Sequence, residues 1–491
     1  MNAADGRPDE FRRVGGALLG AAVCLVVGAS VGAYVGSAFG GGTLALLVVA
    51  IAVAALFAAA SHPVLVVAVV PFAVGFGNDP IPGLPGGLQA VHVLIGIALG
   101  ALGLHVLLAD GRRLARPDPR TTATMLAVLA FTVGSLLSGL LGRTPYVSLA
   151  MNLMLLGVVI VAVATVLVTT SVDALRGLLC VVVAASVAGT APVLGQLDGV
   201  TSERGGAVVD NRPTGVFVDP NELGAYAVVV LVLALTLLAP RGSRWWEVVI
   251  GGVGAAFAAT ALVLSFSRGS WIAGAVAVAV LLGVPSLRAR LLGVLGTLGC
   301  LATLLVVTGV VLLPVDAVYE RATSLLTGSA NPYDARPYIW ETAIQGFLDA
   351  PLLGAGPGSF PSIAADPSGL LWAYPVVHAH SGALTIAVEN GIVGLLAALA
   401  VIVLVTRGLL RTIRLTSVLD PRLAGTAAGL LAALIGIGVS MAVDYTLRNP
   451  LVLATAWLVV GLAMAAGRLG EKAVEGAGDM ASLPVTSGAA S

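Results

Sequence analysis

Apolar runs long enough to cross a lipid bilayer occupy most of this 491-residue chain, and they restrict its possible folds more than any other feature. A bilayer core of roughly 30 Å takes about 20 apolar residues in helical form. Because lipid offers no hydrogen bonds to an exposed backbone, such runs form helices. The sequence therefore predicts an all-α polytopic integral membrane protein with about 12–14 transmembrane helices.

The expected spans follow one another along almost the whole chain. They cover residues 14–36, 42–60, 62–77, 89–109, 121–141, 148–170, 174–195, 222–239, 245–264, 269–284, 289–313, 378–406, 423–443 and 450–468. The runs at 62–77 and 269–284 are short, so the count falls to about twelve if neither crosses the bilayer.

The composition excludes several other classes of protein. Apolar residues make up 58% of the chain and charged residues only 10%, which rules out a soluble fold. The 25 basic and 25 acidic side chains cancel, so no overall basic surface is available to attract nucleic acid. The three cysteines lie in apolar runs without the paired spacing of a disulfide or a zinc site. We expect a lipid bilayer and no nucleic acid among its partners.

The basic residues predict the orientation of the chain. The segment before the first span is basic and has no cleavage site, so we expect an uncleaved first span with the N-terminus in the cytoplasm. Alternating sides from there puts 18 of the 25 basic residues in cytoplasmic segments, as the positive-inside rule requires. We predict a multi-pass protein of the cell membrane with both termini cytoplasmic. Residues 469–491 are small and polar, which predicts a disordered cytoplasmic tail.

Two long outer loops divide the chain into functional regions. The loops cover 196–221 and 314–377, and loops of that length tend to be functional. We expect residues 1–195 to form a scaffold and lipid groove, residues 196–406 to form a catalytic region, and residues 407–468 to form the last spans. Residues 335–348 predict an amphipathic helix on the membrane surface, with Trp340 and Phe347 on one apolar side.

Two outer arginines suggest an anion site. Arg268 and Arg336 each lie at a predicted helix N-terminus, where a fixed cation opposes the helix dipole unless an anion is shared there. Guanidinium binds phosphate bidentately and never loses its charge, so the pair suits a diphosphate group on a membrane lipid. The alternative for Arg268 is a contact with lipid headgroups or an outer acid. Arg321 is a secondary candidate, because Glu320 and Asp316 beside it offer simple surface pairing.

Two histidines stand at the outer mouth of the span that follows the longest loop. His378 and His380 are i and i+2 neighbours, which do not share a helix face, so we expect one to point into an outer vestibule while the other packs. A neutral imidazole there can accept a proton from an attacking hydroxyl. The alternative is an interfacial pair without chemistry. Metal binding is disfavoured because no third ligand lies nearby in sequence.

One carboxylate falls inside a predicted span. Glu389 lies about 13 Å below His380 on an ideal helix and on roughly the opposite face, so direct help to that histidine is not expected. Its role is either functional or a structural hydrogen bond to a neighbouring span. The chain has no Asp-x-Asp pair, phosphate-binding loop or dinucleotide fingerprint, which disfavours a metal-dependent transferase and a nucleotide-driven pump.

The run His380-Ser381-x-x-Leu384 is followed by Glu389-x-Gly391. It is similar to the His-Asn-x-x-Leu…Glu-x-Gly signature of the O-antigen ligase and polysaccharide polymerase superfamily, with Ser381 where Asn is usual, and it is one of four segments that resemble this family. The segment 267–271, Ser-Arg-Gly-Ser-Trp, matches another. The other two are Arg336-x-x-x-Trp340 with Pro351-x-x-Gly354-x-Gly356, and the segment 212–221, which contains Arg212, Asp219, Pro220 and Asn221.

The resemblance implies a membrane glycosyltransferase of the GT-C type. Such an enzyme transfers a glycan from a polyprenyl-diphosphate donor to an acceptor hydroxyl on a glycan or lipid, outside the cytoplasm and with inversion, and it uses no metal or other cofactor. By analogy, Arg268 and Arg336 hold the diphosphate and His380 activates the acceptor, with Arg212, Arg321 and His378 as further substrate-binding candidates. Glu389, Trp340, Asp219 and Asn221 are supporting candidates.

Two questions stay open on the sequence alone. The acceptor decides between a ligase and a polymerase, and no residue indicates which. The other class of protein compatible with the spans is a transporter or flippase of lipid-linked oligosaccharides. That class predicts charged or broken helices at the bilayer midplane and two related halves, whereas here the outer charges gather at one face.

Overall fold

The computed structural model describes residues 63–81, 88–108, 114–203, 206–240, 242–308, 314–327, 334–367, 371 and 376–481. The predicted spans at 14–36 and 42–60 lie outside these residues. Within them the chain is almost entirely helical, which confirms the predicted all-α class. Strand pairing in the described residues consists of a short antiparallel hairpin and an isolated bridge between Pro80 and Gln89.

The helices are numbered here in chain order. They are α1 (Pro63–Ala68), α2 (Ala90–Leu108), α3 (Pro119–Leu141), α4 (Pro145–Val168), α5 (Val172–Thr190), α6 (Pro220–Leu238), α7 (Trp245–Leu264), α8 (Arg268–Leu282), α9 (Pro285–Val307), α10 (Val315–Thr327), α11 (Arg336–Asp349), α12 (Phe360–Ala364), α13 (Gly382–Thr416), α14 (Pro421–Val443) and α15 (Pro450–Ala481). The hairpin consists of β1 (Thr201–Glu203) and β2 (Val208–Asp210), and short 3₁₀ helices cover Val70–Phe76, Ala191–Gly195 and Thr446–Arg448.

Nine helices in the described part of the chain are long and apolar enough to cross a membrane, and α8 and the start of α2 are shorter apolar helices. Most begin and end within about three residues of the predicted spans. The predicted span at 62–77 is instead the short helix α1 followed by a 3₁₀ helix, because Pro71 interrupts the run and neither piece is long enough to cross.

The centre of the bundle is α6. Its residues 222–237 are all buried, and it contacts α5, α7, α8 and α14. A helix that is apolar on every side belongs in the interior of a bundle. Small residues allow the close contacts: a Cβ at Gly429 of α14 would meet Thr236 Oγ1 of α6 at 1.8 Å. This is the packing expected between membrane helices.

The two ends of the bundle differ. The loop end carries the hairpin and helices α10–α12, together with the starts of α6, α8 and α13. The far end is formed by the start of α3, the end of α13 and the start of α14. The basic residues assigned above to the cytoplasm, such as Arg120 and Arg422, lie at the far end.

A buried charge cluster joins three helices at the far end. The fully buried Arg176 of α5 donates to Glu247 of α7 through Nη2 at 2.7 Å and Nε at 3.0 Å. Arg422 of α14 donates to the same carboxylate at 2.9 Å and to Asp173 at 2.8 Å. Because each buried charge has a close partner of opposite sign, the cluster fixes α5, α7 and α14 to one another.

The last helix corrects the prediction of a disordered tail from residue 469. Helix α15 continues to Ala481, and residues 482–491 lie outside the described range. Glu471 forms ion pairs with Arg120 at 2.7 Å and with Arg411 at 2.6 Å, and Gly470 packs against Thr412. These contacts hold the extension on the bundle, which the polar composition of the segment did not reveal.

Candidate functional site

The sequence predicted a span that begins at His378. In the structure both histidines instead lie before helix α13. The helix begins at Gly382 with Ser381 in the capping position. His380 has a φ of 46°, in the left-handed region that side chains other than glycine rarely adopt. This turn in the backbone brings both imidazoles to one point, with ring centres 4.2 Å apart. The His378 ring is buried, whereas the His380 ring is 29% exposed. One ring therefore packs while the other is open to its surroundings.

The point at which both rings meet is the carboxylate of Asp444, which follows α14. Its Oδ1 lies 2.7 Å from His378 Nε2 and 3.0 Å from His380 Nδ1, and it also accepts the backbone N–H of Tyr445 at 2.8 Å. Burial alone would raise the pKa of Asp444, but the hydrogen bonds from the two histidines outweigh it and hold that pKa far below its usual range. The carboxyl is therefore ionised and each ring donates an N–H to it.

This arrangement fixes the chemistry of His380. A histidine whose Nδ1–H donates to a carboxylate keeps its Nε2 unprotonated in the neutral form, and Nε2 is then the proton acceptor. Burial lowers the pKa of His378, with the hydrogen bond to Asp444 acting in the opposite direction and the charge of His380 adding to the lowering. His378 is thus the neutral, packed partner, and His380 is the ring with access to its surroundings.

Sequence reasoning did not select Asp444. The residue is 64 positions from His380, and the intervening spans carry no motif that links the two. One feature of the sequence could have indicated Asp444: it directly follows the predicted span 423–443, on the same outer side as the histidines.

Arg212 is linked to the same carboxylate through Asn221. Its guanidinium donates twice to the carbonyl of Ser265, at 3.0 and 2.8 Å, and once to Asn221 Oδ1 at 3.0 Å. Asn221 Nδ2 donates in turn to Asp444 Oδ2 at 2.8 Å. Asp219 accepts the backbone N–H of Asn221 and caps α6, and Pro220 occupies the first turn. The chain of bonds connects the loop before α6 to the histidine pair.

Arg321 is buried, and the surface pairing with Glu320 and Asp316 weighed above is not what the structure shows. Its Nε donates to the carbonyl of Phe266 at 3.0 Å, and its Nη1 donates to the carbonyls of Gly206 and Ala207 at 2.7 Å each. The side chain joins α10, the hairpin loop and the entry to α8. Burial, with the charges of Arg268 and Arg212, lowers its pKa to about 10, so the group stays protonated at neutral pH.

Arg268 and Arg336 occupy helix starts at the same end of the bundle. Arg268 is the first residue of α8, after the capping Ser267, and Arg336 is the first residue of α11. Arg336 is 35% exposed, and its Nε lies 3.9 Å from Asp334 Oδ1. Burial lowers the pKa of Arg212, against the charges of Asp219 and Asp444, and both Arg268 and Arg336 add to the lowering. We call Arg212, Arg268, Arg321 and Arg336 the arginine cluster, because the charges of Arg268 and Arg336 act on Arg212 and those of Arg268 and Arg212 act on Arg321.

The backbone of this cluster is strained at three places. The described residues other than glycine with a positive φ are Asn211, Phe266 and His380, at 51°, 50° and 46°. Asn211 precedes Arg212, Phe266 carries the carbonyl bound by Arg321, and His380 binds Asp444. Such strain persists only where surrounding contacts enforce it, and it concentrates at functional sites.

Glu389 lies in α13 two residues before a break at Gly391, and the ideal helix assumed from His380 was wrong because α13 begins only at Gly382. Gly391 has a φ of 62°, and the loop after α11 supplies the missing backbone partners: Ala355 N donates to Val388 O and Ile392 N donates to Pro351 O, both at 2.9 Å. Glu389 Oε1 accepts the N–H of Phe360 at 3.4 Å. The side chain therefore bonds the segment after α11, and the backbone carbonyl of Glu389 accepts the hydroxyl of Ser138 in the neighbouring span α3.

The break explains the glycines of the loop. A Cβ at Gly354 would lie 2.4 Å from the carbonyl carbon of Glu389, and a Cβ at Gly391 would lie 2.3 Å from Leu352 O. Only glycines allow the two backbones to approach so closely. The loop therefore fixes α11, which carries Arg336, against α13, which follows His380.

On α11, Trp340 is exposed and Phe347 packs against buried residues, while their common apolar side on the membrane surface stays a prediction. The buried residues of this helix are Ile339, Ala343 and Gly346, which pack toward α12 and α13, and Phe347 contacts the same core. Trp340 is 37% exposed. The helix itself, Arg336–Asp349, lies one residue from the predicted 335–348.

The structure also supplies the third ligand that the sequence lacked for a metal site. One ligand atom each of His378, His380 and Asp444 lies within 4.8 Å of the others. The reason given above against a metal was therefore wrong, because Asp444 is distant only in sequence. In the structure, His378 Nε2 and His380 Nδ1 both hydrogen-bond Asp444 Oδ1. The two nitrogens that face the carboxylate are therefore already used in hydrogen bonds.

Residues 253–399 match the family model described as O-antigen ligase, and this segment contains Arg268, Arg336, His380 and Glu389. The match confirms the resemblance to the O-antigen ligase superfamily, and at the level of the family it supports a glycosyl-transferring membrane enzyme. Arg212 and Asp444 lie outside the matched segment. A comparison with curated proteins found no match for the chain.

Proposed function

Because the chain carries an O-antigen ligase domain, we propose that it transfers a glycan from a polyprenyl-diphosphate donor to an acceptor hydroxyl at the loop end of the bundle. The reaction inverts the anomeric carbon and uses no metal. The loop end faces away from the cytoplasm in the cell membrane. The excess of basic residues in the segments assigned to the opposite side supports this orientation.

The observation that carries the proposal is the contact between Asp444 and His380 beside a cluster of arginines. An ionised carboxylate on Nδ1 holds the imidazole in one orientation and stabilises the positive charge that develops when Nε2 takes a proton. Arg212 and Arg321 donate most of their N–H groups to carbonyl oxygens of the protein. They are therefore suited to hold the loops around the arginine cluster in place. Arg268 and Arg336 are the guanidinium groups that we assign to the diphosphate.

In the proposed step, Nε2 of His380 accepts the proton of the acceptor hydroxyl. The hydroxyl oxygen forms a bond to the anomeric carbon while the bond from that carbon to the diphosphate oxygen breaks. The electron pair of the broken bond leaves with the lipid diphosphate, and Arg268 and Arg336 balance its charge. The imidazolium is stabilised by Asp444 until it releases its proton to solvent. Diphosphate is a good leaving group, so positioning and charge balance supply most of the catalysis.

The full-length protein in liposomes tests this reaction against lipid transport. The donor is a synthetic polyprenyl-diphosphate sugar with a label on the sugar, and product is separated by chromatography. We expect a new glycosidic bond and release of polyprenyl diphosphate, both undiminished in EDTA. Movement of labelled lipid between leaflets without glycosidic product would support the flippase class instead.

The same assay separates a ligase from a polymerase. Supplying a second copy of the lipid-linked glycan as acceptor yields a product that is longer by one unit if the enzyme is a polymerase. Supplying a different lipid or glycan acceptor yields a single capped product if it is a ligase. Because neither outcome is indicated by the described residues, the experiment assigns the acceptor class directly.

A further inference from the structure

A separate cavity lies at the far end of the bundle, between α3, α13 and α15. Its volume is about 250 Å³. Three arginines line it, Arg120, Arg407 and Arg411, together with apolar side chains that include Leu404, Val405 and Met464. Arg407 lies 16 residues beyond the break in α13 at Gly391, on the side away from His380, which corresponds to about 24 Å of helix. The cavity is therefore distinct from the cluster at the loop end.

The charges around this cavity leave a positive excess. Glu471 pairs with both Arg120 and Arg411, so a single carboxylate serves two guanidinium groups. Asp118 also lines the cavity, but its oxygens accept the backbone N–H groups of Arg120 and Thr121 at the start of α3. Arg407 is exposed and makes no hydrogen bond or ion pair within the described ranges. Three cations thus face two acids, and both acids already have partners.

The polar and apolar walls are arranged in depth. On α13, Leu404 and Val405 precede Arg407 and Arg411 toward the far end, and on α15 Met464 precedes Glu471 in the same direction. The apolar wall therefore lies deeper in the bundle and the arginines lie at the helix ends. A cationic rim above an apolar slot matches a lipid, whose phosphate lies at the membrane surface and whose chains point inward.

Two glycines keep the cavity open. A Cβ built at Gly408 of α13 meets no atom within 4 Å, and a Cβ at Gly467 of α15 meets only the Cα of Gly408, at 4.0 Å. Both residues line the cavity. A Cβ at 408 would therefore enter empty space, and a larger side chain would extend from it into the cavity.

We propose that this cavity binds the phosphate group of an anionic phospholipid from the leaflet at the far end of the bundle. Arg407 and Arg411 hold the phosphate, and an acyl chain lies against Leu404, Val405 and Met464. The apolar wall favours a phospholipid over a soluble phosphate, which has nothing to place against it. The lipid is a bound partner and not the glycan donor, whose assigned arginines lie at the other end.

Native mass spectrometry of the full-length protein released from nanodiscs tests the proposal. The discs contain equal parts of phosphatidylglycerol and phosphatidylcholine. We expect retention of at least one phosphatidylglycerol and a preference over phosphatidylcholine of about tenfold, equivalent to roughly 1.4 kcal/mol. Equal retention of both lipids would overturn the proposal. Displacement of the lipid by soluble glycerol phosphate at equal concentration would identify a free-phosphate site and would also overturn it.

Two variants test the lipid site in different ways. Arg407→Gln removes a charge that holds no other residue, and Gly408→Leu fills the cavity without changing any charge. Each is expected to lower retained phosphatidylglycerol at least fivefold while leaving the melting temperature in detergent unchanged. Arg414→Gln is the control, since it removes a charge from the same helix outside the cavity, and its retention should equal that of wild type. Loss of lipid in the control alone, or unchanged retention in both site variants, would refute the assignment.

Discussion

Asp444 Oδ1 and His380 Nδ1 lie 3.0 Å apart, although 64 residues separate them along the chain. The same oxygen lies 2.7 Å from His378 Nε2. An ionised carboxylate shared by two imidazoles orients both rings and leaves the more exposed one, His380, with Nε2 as its proton acceptor. This contact is what the proposed general-base role of His380 requires.

Asp444→Asn tests that contact. The amide keeps the shape of the side chain but loses the charge that stabilises an imidazolium, so we expect turnover to fall by about 100-fold or more. Donor binding should change little, because the arginines assigned to the diphosphate are untouched. Initial rates and donor affinity measured on the same preparation separate the two effects.

The matched control for this variant is Asp349→Asn. Asp349 also faces the loop end, but it is 65% exposed and its Oδ2 lies 3.7 Å from Arg143. Full turnover is expected there. A fall in turnover of similar size in both variants would mean that any loss of negative charge at this end impairs the enzyme.

The buried imidazole of His378 predicts a pH dependence of stability. Burial lowers its pKa from the ordinary value of about 6.5. The unfolded chain therefore binds a proton at this residue at higher pH than the folded protein does. The free energy of unfolding should rise with pH from the lowered pKa up to about 6.5 and then level off.

Denaturation in detergent between pH 5 and pH 8 measures this slope, and His378→Asn should flatten it. A slope that persists unchanged in the variant would assign the pH dependence to other groups.

The close backbone contact at the break in α13 predicts that glycine is required there. Gly391→Ala places a Cβ against Leu352 O in a left-handed residue, and Gly354→Ala places one against Glu389. Each should destabilise the protein by at least about 2 kcal/mol and lower activity, because Arg336 and His380 are positioned through this contact. Gly438→Ala in α14 is the control. Its Cβ meets nothing within 4 Å, so stability should hold or rise by up to about 1 kcal/mol.

The buried ion pair at the far end predicts a strong dependence on Arg176. Arg176→Ala leaves Glu247 with one fewer partner in a buried position and should cost about 3–5 kcal/mol in the free energy of unfolding. Arg143→Ala removes one member of an exposed pair and should cost no more than about 1 kcal/mol. Chemical denaturation of the two variants side by side provides the comparison. Similar costs for both would show that burial does not decide the value of the pair.

Much of the fold could be predicted because membrane helices are encoded locally. The lengths of the apolar runs predicted most of the spans. The tail was mispredicted because the helix there depends on contacts of Glu471 with two distant arginines. The run at 62–77, which is short for a span, does not form one spanning helix because Pro71 interrupts it.

The site was harder to predict because its partners are distant in sequence. Helix N-termini and residue types singled out Arg268, Arg336 and His380, and the structure places all three at the loop end. Asp444 and the carbonyl partners of Arg321 are set by tertiary packing, for which a single sequence carries no periodic signal. Both histidines reach one oxygen because His380 adopts a positive φ, and nothing in its residue type indicates that.

In the proposed reaction, arginines hold the donor diphosphate while His380 performs the proton transfer. Donor affinity and single-turnover rate, measured with the synthetic polyprenyl-diphosphate sugar, separate these two roles in wild type, Arg268→Gln, Arg336→Gln and His380→Ala. We expect weaker donor binding in both arginine variants, and unchanged donor binding with a rate at least about 100-fold lower in His380→Ala. Unchanged donor affinity in both arginine variants, or a wild-type rate in His380→Ala, would contradict it.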